Sequence, residues 1–331
     1  MKVGIDNYGL FPLGLSPLQT LQWALGHGAE GVAFSGFGEA ERSAIDDTML
    51  DRIRDFAAGQ GLYLEWGGGQ HVPRNLVTWE SKDIFNHNLV EARAAARLGT
   101  RIIRSCSGGL MRWNPDAVPT RQLLDEAAAA LCAQRQMLLD HQVILAIETH
   151  FEFTTFELVR LFEACGAKPG EWLGICLDTM NLLTMLEDPV MATERILPWV
   201  VSTHIKDGGI IETETGFQSF TAPFGDGIID FKSIFNLLTP NLLTSLPHLN
   251  IEDHGGSFDI PIFDPVFRKE FPDLADAELE QLVLLSRRTR EKMDSGELSI
   301  LDRKDWPGVC EGRMAGDMEG LKTLAIRKGL R

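Results

Sequence analysis

The chain has 331 residues, 44% hydrophobic and 24% charged, which suffices for a large core without covalent staples. Its formal net charge of −16 argues against nucleic acid or an anionic membrane as partner, because both require a basic face. The five cysteines form no Cys-x-x-Cys pair, and no apolar run reaches the roughly 18 residues of a membrane span. With an amino-terminal segment that reads as a strand, a cytoplasmic protein is the expectation.

Apolar strand runs alternate with amphipathic helices along the chain. VGIDN (3–7) precedes a helix carrying Leu18, Leu21 and Leu25. GVAFSG (31–36) precedes one from Met49 to Ala58, and LYLEWGG (62–68) one from Ile84 to Leu98. TRIIRSCSG (100–108) leads to the helix from Arg121 to His141, and VILAIETH (143–150) to FELVRLFEACG. LGICLDTMN (173–181) leads to a short helix near Pro189 to Leu197. VVSTHIKD (200–207) leads after a long loop to FKSIFNLL, and LNIEDHG (249–255) to a helix over 274–293. Eight such units predict an α/β fold, a (β/α)8 barrel over residues 1–298.

Residues 299–331 read as a helical extension (Met314, Met318, Leu321, Leu324) that packs on the barrel or on a partner subunit, a homo-oligomer included. The long segments 208–226 and 256–273 leave the carboxyl ends of strands seven and eight, where barrel sites lie. They are expected to cover the mouth, lined by Phe217, Phe220, Phe224 and Phe258.

Four successive apolar strands end in an ionisable residue: Glu148, Asp178, His204 and Glu252. An isolated carboxylate there is costly, and three together raise one another's pKa unless a cation neutralises them. An O,O,O,N set without cysteine suits one divalent ion, Mn2+ first, with Mg2+, Co2+ or Zn2+ as alternatives. Strand alternation turns His150 to the same side as Glu148, Lys206 to that of His204, and His254 to that of Glu252. Arg104, Trp66, His71 and Asn181 lie at neighbouring strand ends and join Lys206 and His254 as candidates to hold substrate.

The segments IETH, LDTMN, STHIKD, PFGDGIIDF and NIEDH resemble the sugar phosphate isomerase/epimerase family of xylose isomerase-like barrels. The resemblance implies Glu148, Asp178, His204 and Glu252 as metal ligands. It also implies Glu148 and Glu252 as the groups that move a proton next to a carbonyl, through a metal-stabilised enediolate. The substrate would be a small carbohydrate or a sugar-derived ketone. Where the family's ketose 3-epimerases carry Glu, His and Arg for substrate hydroxyls, this chain has Thr154, Asn181 and Ile210.

Glu-x-His at 148–150 also resembles the 3-dehydroshikimate dehydratases of the superfamily, where the histidine is the base. A lyase with His150 in that role (dehydratase, keto-inositol dehydratase or 3-keto-glycoside eliminase type) is therefore the alternative to an isomerase. An endonuclease IV-like nuclease is the remote third reading, opposed by eight histidines in all and the acidic charge.

Overall fold

The computed structural model describes residues 1–35, 37, 39–239 and 248–327, the side chains of residues 39 and 40 excepted. Eight parallel strands close a barrel in which each pairs with its neighbour in space. They are β1 (Val3–Asp6), β2 (Gly31–Phe34), β3 (Tyr63–Gly69), β4 (Ile102–Ser105), β5 (Ile144–Glu148), β6 (Leu173–Asp178), β7 (Val200–Ile205) and, closing the ring onto β1, the strand Leu249–Ile251. Between β7 and that last barrel strand lie β8 (Asp207–Glu212) and β9 (Phe217–Ala222), so the last barrel strand is β10, and β11 (Ser257–Ile260) follows it.

Alternation along β5 puts Ile144, Ala146 and Glu148 on one face. Ile144 and Ala146 pack with Cys176, Val201 and Ile102 in an apolar cluster separate from the main core. This cluster fills the barrel beneath the strand ends, while the larger core lies between strands and helices.

The long segments after strands seven and eight are more ordered than the sequence pattern suggests. Residues 207–222 form an antiparallel hairpin, and β11 adds to it as a third strand. Phe217 and Phe220 are buried by this small sheet, and Phe224 packs against Phe231. Of the four phenylalanines expected to line the mouth, only Phe258 does so. Apolar alternation within 207–222 was hidden by its glycines and polar turn, so a structured hairpin read as loop.

Asp207 anchors the PFGDG turn to this hairpin. Its carboxylate accepts backbone N–H bonds from Gly225 (2.9 Å), Gly227 (3.1 Å) and Ile229 (3.3 Å). A Cβ at Gly227 would fall 2.1 Å from Asp207 Oδ1, so only glycine permits this approach.

The helix expected to cover strand eight packs elsewhere. Asp276–Asp294 lies on β8, where Thr289 Oγ1 accepts from Ile210 N (3.3 Å) and Ser286 Oγ from Glu212 N (2.7 Å). Two hydroxyls thereby satisfy an otherwise open strand edge. The seam between β1 and β10 is covered instead by the helix Cys310–Arg327, through Met314, Met318 and Leu321. The apolar face that sequence offered to a barrel or a partner is buried on the chain's own barrel.

Candidate functional site

Threonines fix the height of the strand ends. Thr149 Oγ1 accepts from Asp178 N (2.8 Å) and donates to Asp178 O (3.0 Å), tying β5 to β6. Thr179 repeats the pattern with Lys206, accepting from its N (3.0 Å) and donating to its O (2.7 Å), and so ties β6 to β7. Each threonine directly follows a carboxylate that ends a strand. Asp178 and His204 are thereby held opposite each other in register.

Glu148, Asp178 and His204 converge, with one ligand atom from each lying within 4.8 Å of the others. All three are buried, as is Glu252 just beyond β10. Glu148 Oε2, Asp178 Oδ2, His204 Nδ1 and Glu252 Oε2 are buried without a hydrogen-bond partner. Their contacts are ionic instead. Arg104 pairs with Glu148, and the Lys206 ammonium lies against Glu252 and 2.9 Å from Asp178 Oδ2. Three carboxylates and one imidazole thus converge from four strand ends, an oxygen-rich donor set of the kind a divalent cation takes, with Arg104 and Lys206 balancing the carboxylates. The residues present therefore fit a divalent metal, with Glu252 the one member outside the tightest cluster.

The charges act strongly on one another. Burial alone would raise the Glu252 carboxyl, but Lys206 brings it down to about 2. Burial pushes Asp178 up to about 6, only partly opposed by Lys206. Glu148, despite burial, is held well below the usual carboxylate range by Arg104 and His204.

Sequence reading missed Asp6, although VGID carries the same signal of an apolar strand ending in a carboxylate. Asp6 Oδ2 lies 3.2 Å from His204 Nε2, which leaves Nδ1 turned towards Glu148. Thus a carboxylate outside the expected set selects the nitrogen available to the cluster. Asn181 Nδ2 donates to Glu148 Oε1 (3.3 Å) and borders the cleft.

The cleft itself has a volume of about 450 Å³ and opens at the carboxyl ends of the strands. Glu148, Glu252, Arg104, His150, Asn181, Lys206 and His254 all border it, with Phe37, Leu110, Phe151 and Phe258 as apolar wall. His150 Nδ1 lies 2.8 Å from Glu152 Oε2, so Nε2 is the nitrogen left for a ligand. Burial would lower the His150 pKa, but Cys106 and Glu152 outweigh it and hold the ring well above its ordinary value. A larger cavity of about 660 Å³ opens at the opposite end, beside Arg54, Tyr63, Glu65 and His248. It contains none of the converging strand-end residues, so size does not mark the site here.

Two expected substrate-binding residues lie outside the cleft. Trp66 is fully buried on the helix-facing side of β3, and its indole N–H donates to Glu91 Oε2 (2.9 Å). Alternation with Glu65, which turns inward to Ser202 and Asn250, dictates that side. His71 is buried with Nδ1 2.9 Å from Ser105 Oγ, against Phe153, and burial lowers its pKa to about 4. Conversely, the cleft includes Tyr8 and Arg303, for which the sequence offered no local signal.

A family model described as xylose isomerase-like TIM barrel matches residues 21–242. The 3-oxo-isoapionate decarboxylase of Pectobacterium atrosepticum is 28% identical over 252 residues, covering 73% of this chain and 82% of that protein. Among solved structures, an L-ribulose 3-epimerase superposes with a TM-score of 0.56 at 19% identity, over 90% of this chain and 98% of the other. A probable 3-DHS dehydratase from Bacillus anthracis gives 0.58 at 17% identity, over 82% and 98%. At these identities the two structures establish a common fold.

Proposed function

We propose, from the premise that this chain belongs to the xylose isomerase-like TIM barrel family, that it is a divalent-metal-dependent lyase releasing carbon dioxide from a sugar-derived 3-oxo acid. The observation that carries the metal chemistry is the convergence of Glu148, Asp178 and His204, with one ligand atom of each within 4.8 Å of the others and Glu252 buried beside them through Lys206. Similarity to a 3-oxo-acid decarboxylase over most of the chain supports the choice of reaction. The replacement of the family's hydroxyl-binding trio by Thr154, Asn181 and Ile210 supports a substrate other than a free ketose. Thr154 caps a helix and Ile210 is buried in the hairpin, so neither borders the cleft.

Glu148, Asp178, His204 and Glu252 would hold the ion, Mn2+ by preference for this donor set, with Mg2+, Co2+ or Zn2+ accommodated. When bound, a divalent cation acts as a Lewis acid on the substrate's carbonyl and hydroxyl oxygens and favours negative charge on the adjacent carbon. The chain's own groups do the rest. Asp6 holds His204 in one orientation, and Asn181 restrains Glu148. His150, oriented by Glu152, delivers a proton from Nε2 to the carbon that retains the electron pair of the broken C–C bond. The products are carbon dioxide and a ketone one carbon shorter. Phe151 and Phe258, with ring centroids 4.6 Å apart, supply an apolar wall to the cleft beside His150.

Isomerisation retains one specific support, because Glu148 and Glu252 both border the cleft and could serve two faces of a substrate. One experiment separates the readings. Mn2+-loaded protein is incubated in D2O with 3-oxo sugar acids, 3-oxo-isoapionate first, while carbon dioxide and proton NMR are followed. Decarboxylation gives one equivalent of gas and one solvent deuteron in the product, is abolished by EDTA and returns with Mn2+. Deuterium exchange with the carboxyl group retained would favour the isomerase, and full turnover by metal-free protein would refute the metal's role.

A further inference from the structure

Arg104, Lys206 and Arg303 are the lysine and arginine side chains that border the cleft. Two are neutralised, Arg104 by Glu148 and Lys206 by Asp178 and Glu252. Arg303 has no carboxylate partner among the described residues, and neutral groups hold it. Its Nη2 donates to the Tyr8 hydroxyl, and its guanidinium carbon lies 5.7 Å and 5.9 Å from the ring centroids of Tyr8 and Phe11.

Nη1 lies 2.9 Å from His254 Nδ1, and this contact is frustrated. Nδ1 is also 2.7 Å from the Gly255 carbonyl oxygen, while Nε2 lies 3.4 Å from the Lys206 ammonium. A neutral imidazole has one N–H and one lone pair. Nδ1 cannot both donate to the Gly255 carbonyl and accept from Arg303 Nη1, so either tautomer leaves one of these two contacts unmade. At most a shared neutral nitrogen faces this edge of the guanidinium. The side chain is nonetheless well placed. Trp306, three residues on, is fully buried with its indole donating to Gly9 O (3.0 Å), and Gly256 N bonds Leu301 O (2.8 Å).

We propose that Arg303 determines specificity by receiving the carboxylate of an acidic substrate, an assignment that rests on reading the cleft as a site for a sugar-derived 3-oxo acid. His254 is the spacer. Its Nε2 lies 4.0 Å from Glu252 Oε1, so a single imidazole ring separates the guanidinium from the strand-end cluster. A substrate whose carbonyl oxygen reaches that cluster can present a carboxylate a carbon or two away to Arg303. The planar guanidinium fork matches a carboxylate in two parallel hydrogen bonds. With a chain charge of −16 repelling anions at long range, an acidic substrate needs such a local cation. Because the carboxylate's charge disperses as carbon dioxide leaves, the contact is strongest before reaction. Losing it should raise KM and leave kcat level or higher.

The test compares two ligands on Mn2+-loaded protein by ligand-observed NMR: 3,4-dihydroxybutyrate and its uncharged counterpart butane-1,2,4-triol. Each offers a vicinal diol, and only the first a carboxylate. The wild-type chain should prefer the acid by about tenfold, the value of one charge-assisted contact. Arg303→Met should abolish the preference without weakening the triol, and Arg303→Lys should restore part of it. Triol binding also reports an intact site in each variant. An undiminished preference in Arg303→Met, or no preference in the wild-type chain, overturns the proposal. Because binding needs no turnover, the two readings fail separately. Preference through Arg303 without carbon dioxide release from any 3-oxo acid would refute the lyase, whereas decarboxylation with an unchanged KM in Arg303→Met would refute this assignment alone.

Discussion

Asp6 acts on the cluster through one contact. By occupying His204 Nε2 it leaves the Nδ1 lone pair for a cation, and its charge makes that nitrogen a better donor. Asp6→Asn keeps the shape and removes the charge, so Mn2+ affinity should fall about 10–100-fold. Titration against a competing chelator measures it. Unchanged affinity would show that packing alone orients the ring. Trp66 teaches the converse at this scale. A large aromatic at a strand end resembles a stacking platform, yet its neighbour Glu65 faces inward and turns the indole out to Glu91. Period-two alternation already contained that answer.

At the scale of elements, Arg195 locks the junction of three helices. Its guanidinium lies 2.9 Å from Glu187 and bonds Glu278, and it stacks 3.5 Å from the centroid of Phe156. Glu187 also accepts from Thr155 N (2.9 Å), which ties it to the helix Thr155–Ala164. Burial pushes the Glu187 carboxyl up to about 7 from its ordinary 4.5, with Thr155 and Arg195 only partly offsetting it. The folded state therefore binds this proton more tightly than the unfolded one. The stabilisation is present below pH 4.5 and is lost as pH rises to about 7. Glu187→Gln should flatten this part of the stability profile in urea unfolding between about pH 5 and 8. A slope identical to wild type would refute the shifted pKa.

For the whole molecule, we propose that residues 299–327 and the barrel form one folding unit. Trp306, Met314, Met318 and Leu321 are buried; the three on the helix Cys310–Arg327 close the seam between β1 and β10, and Trp306 bonds Gly9 O. At roughly 1.5–3 kcal/mol for each large apolar side chain, their removal would cost an amount comparable to the net stability of a typical domain. A chain ending at Leu298 should therefore fail to show a cooperative thermal transition by circular dichroism. A wild-type melting temperature in the truncated chain would establish the tail as separable.

The sequence by itself determined the barrel. Eight apolar runs of strand length, each followed by an amphipathic helix, leave few other ways to bury both faces of every strand. It also determined that Glu148, Asp178, His204 and Glu252 stand at strand ends, since position along a strand is a local property. Tertiary structure decided matters that turn on long-range choice. Two amphipathic helices, 276–294 and 310–327, were both able to cover the eighth strand, and periodicity cannot rank them. The hairpin claimed the first because its open edge needed the hydroxyls of Ser286 and Thr289. The second then closed the seam and set Arg303 over the cleft, from a stretch of chain about 50 residues beyond the last strand-end carboxylate. No local pattern marks a residue whose role depends on which helix wins that competition.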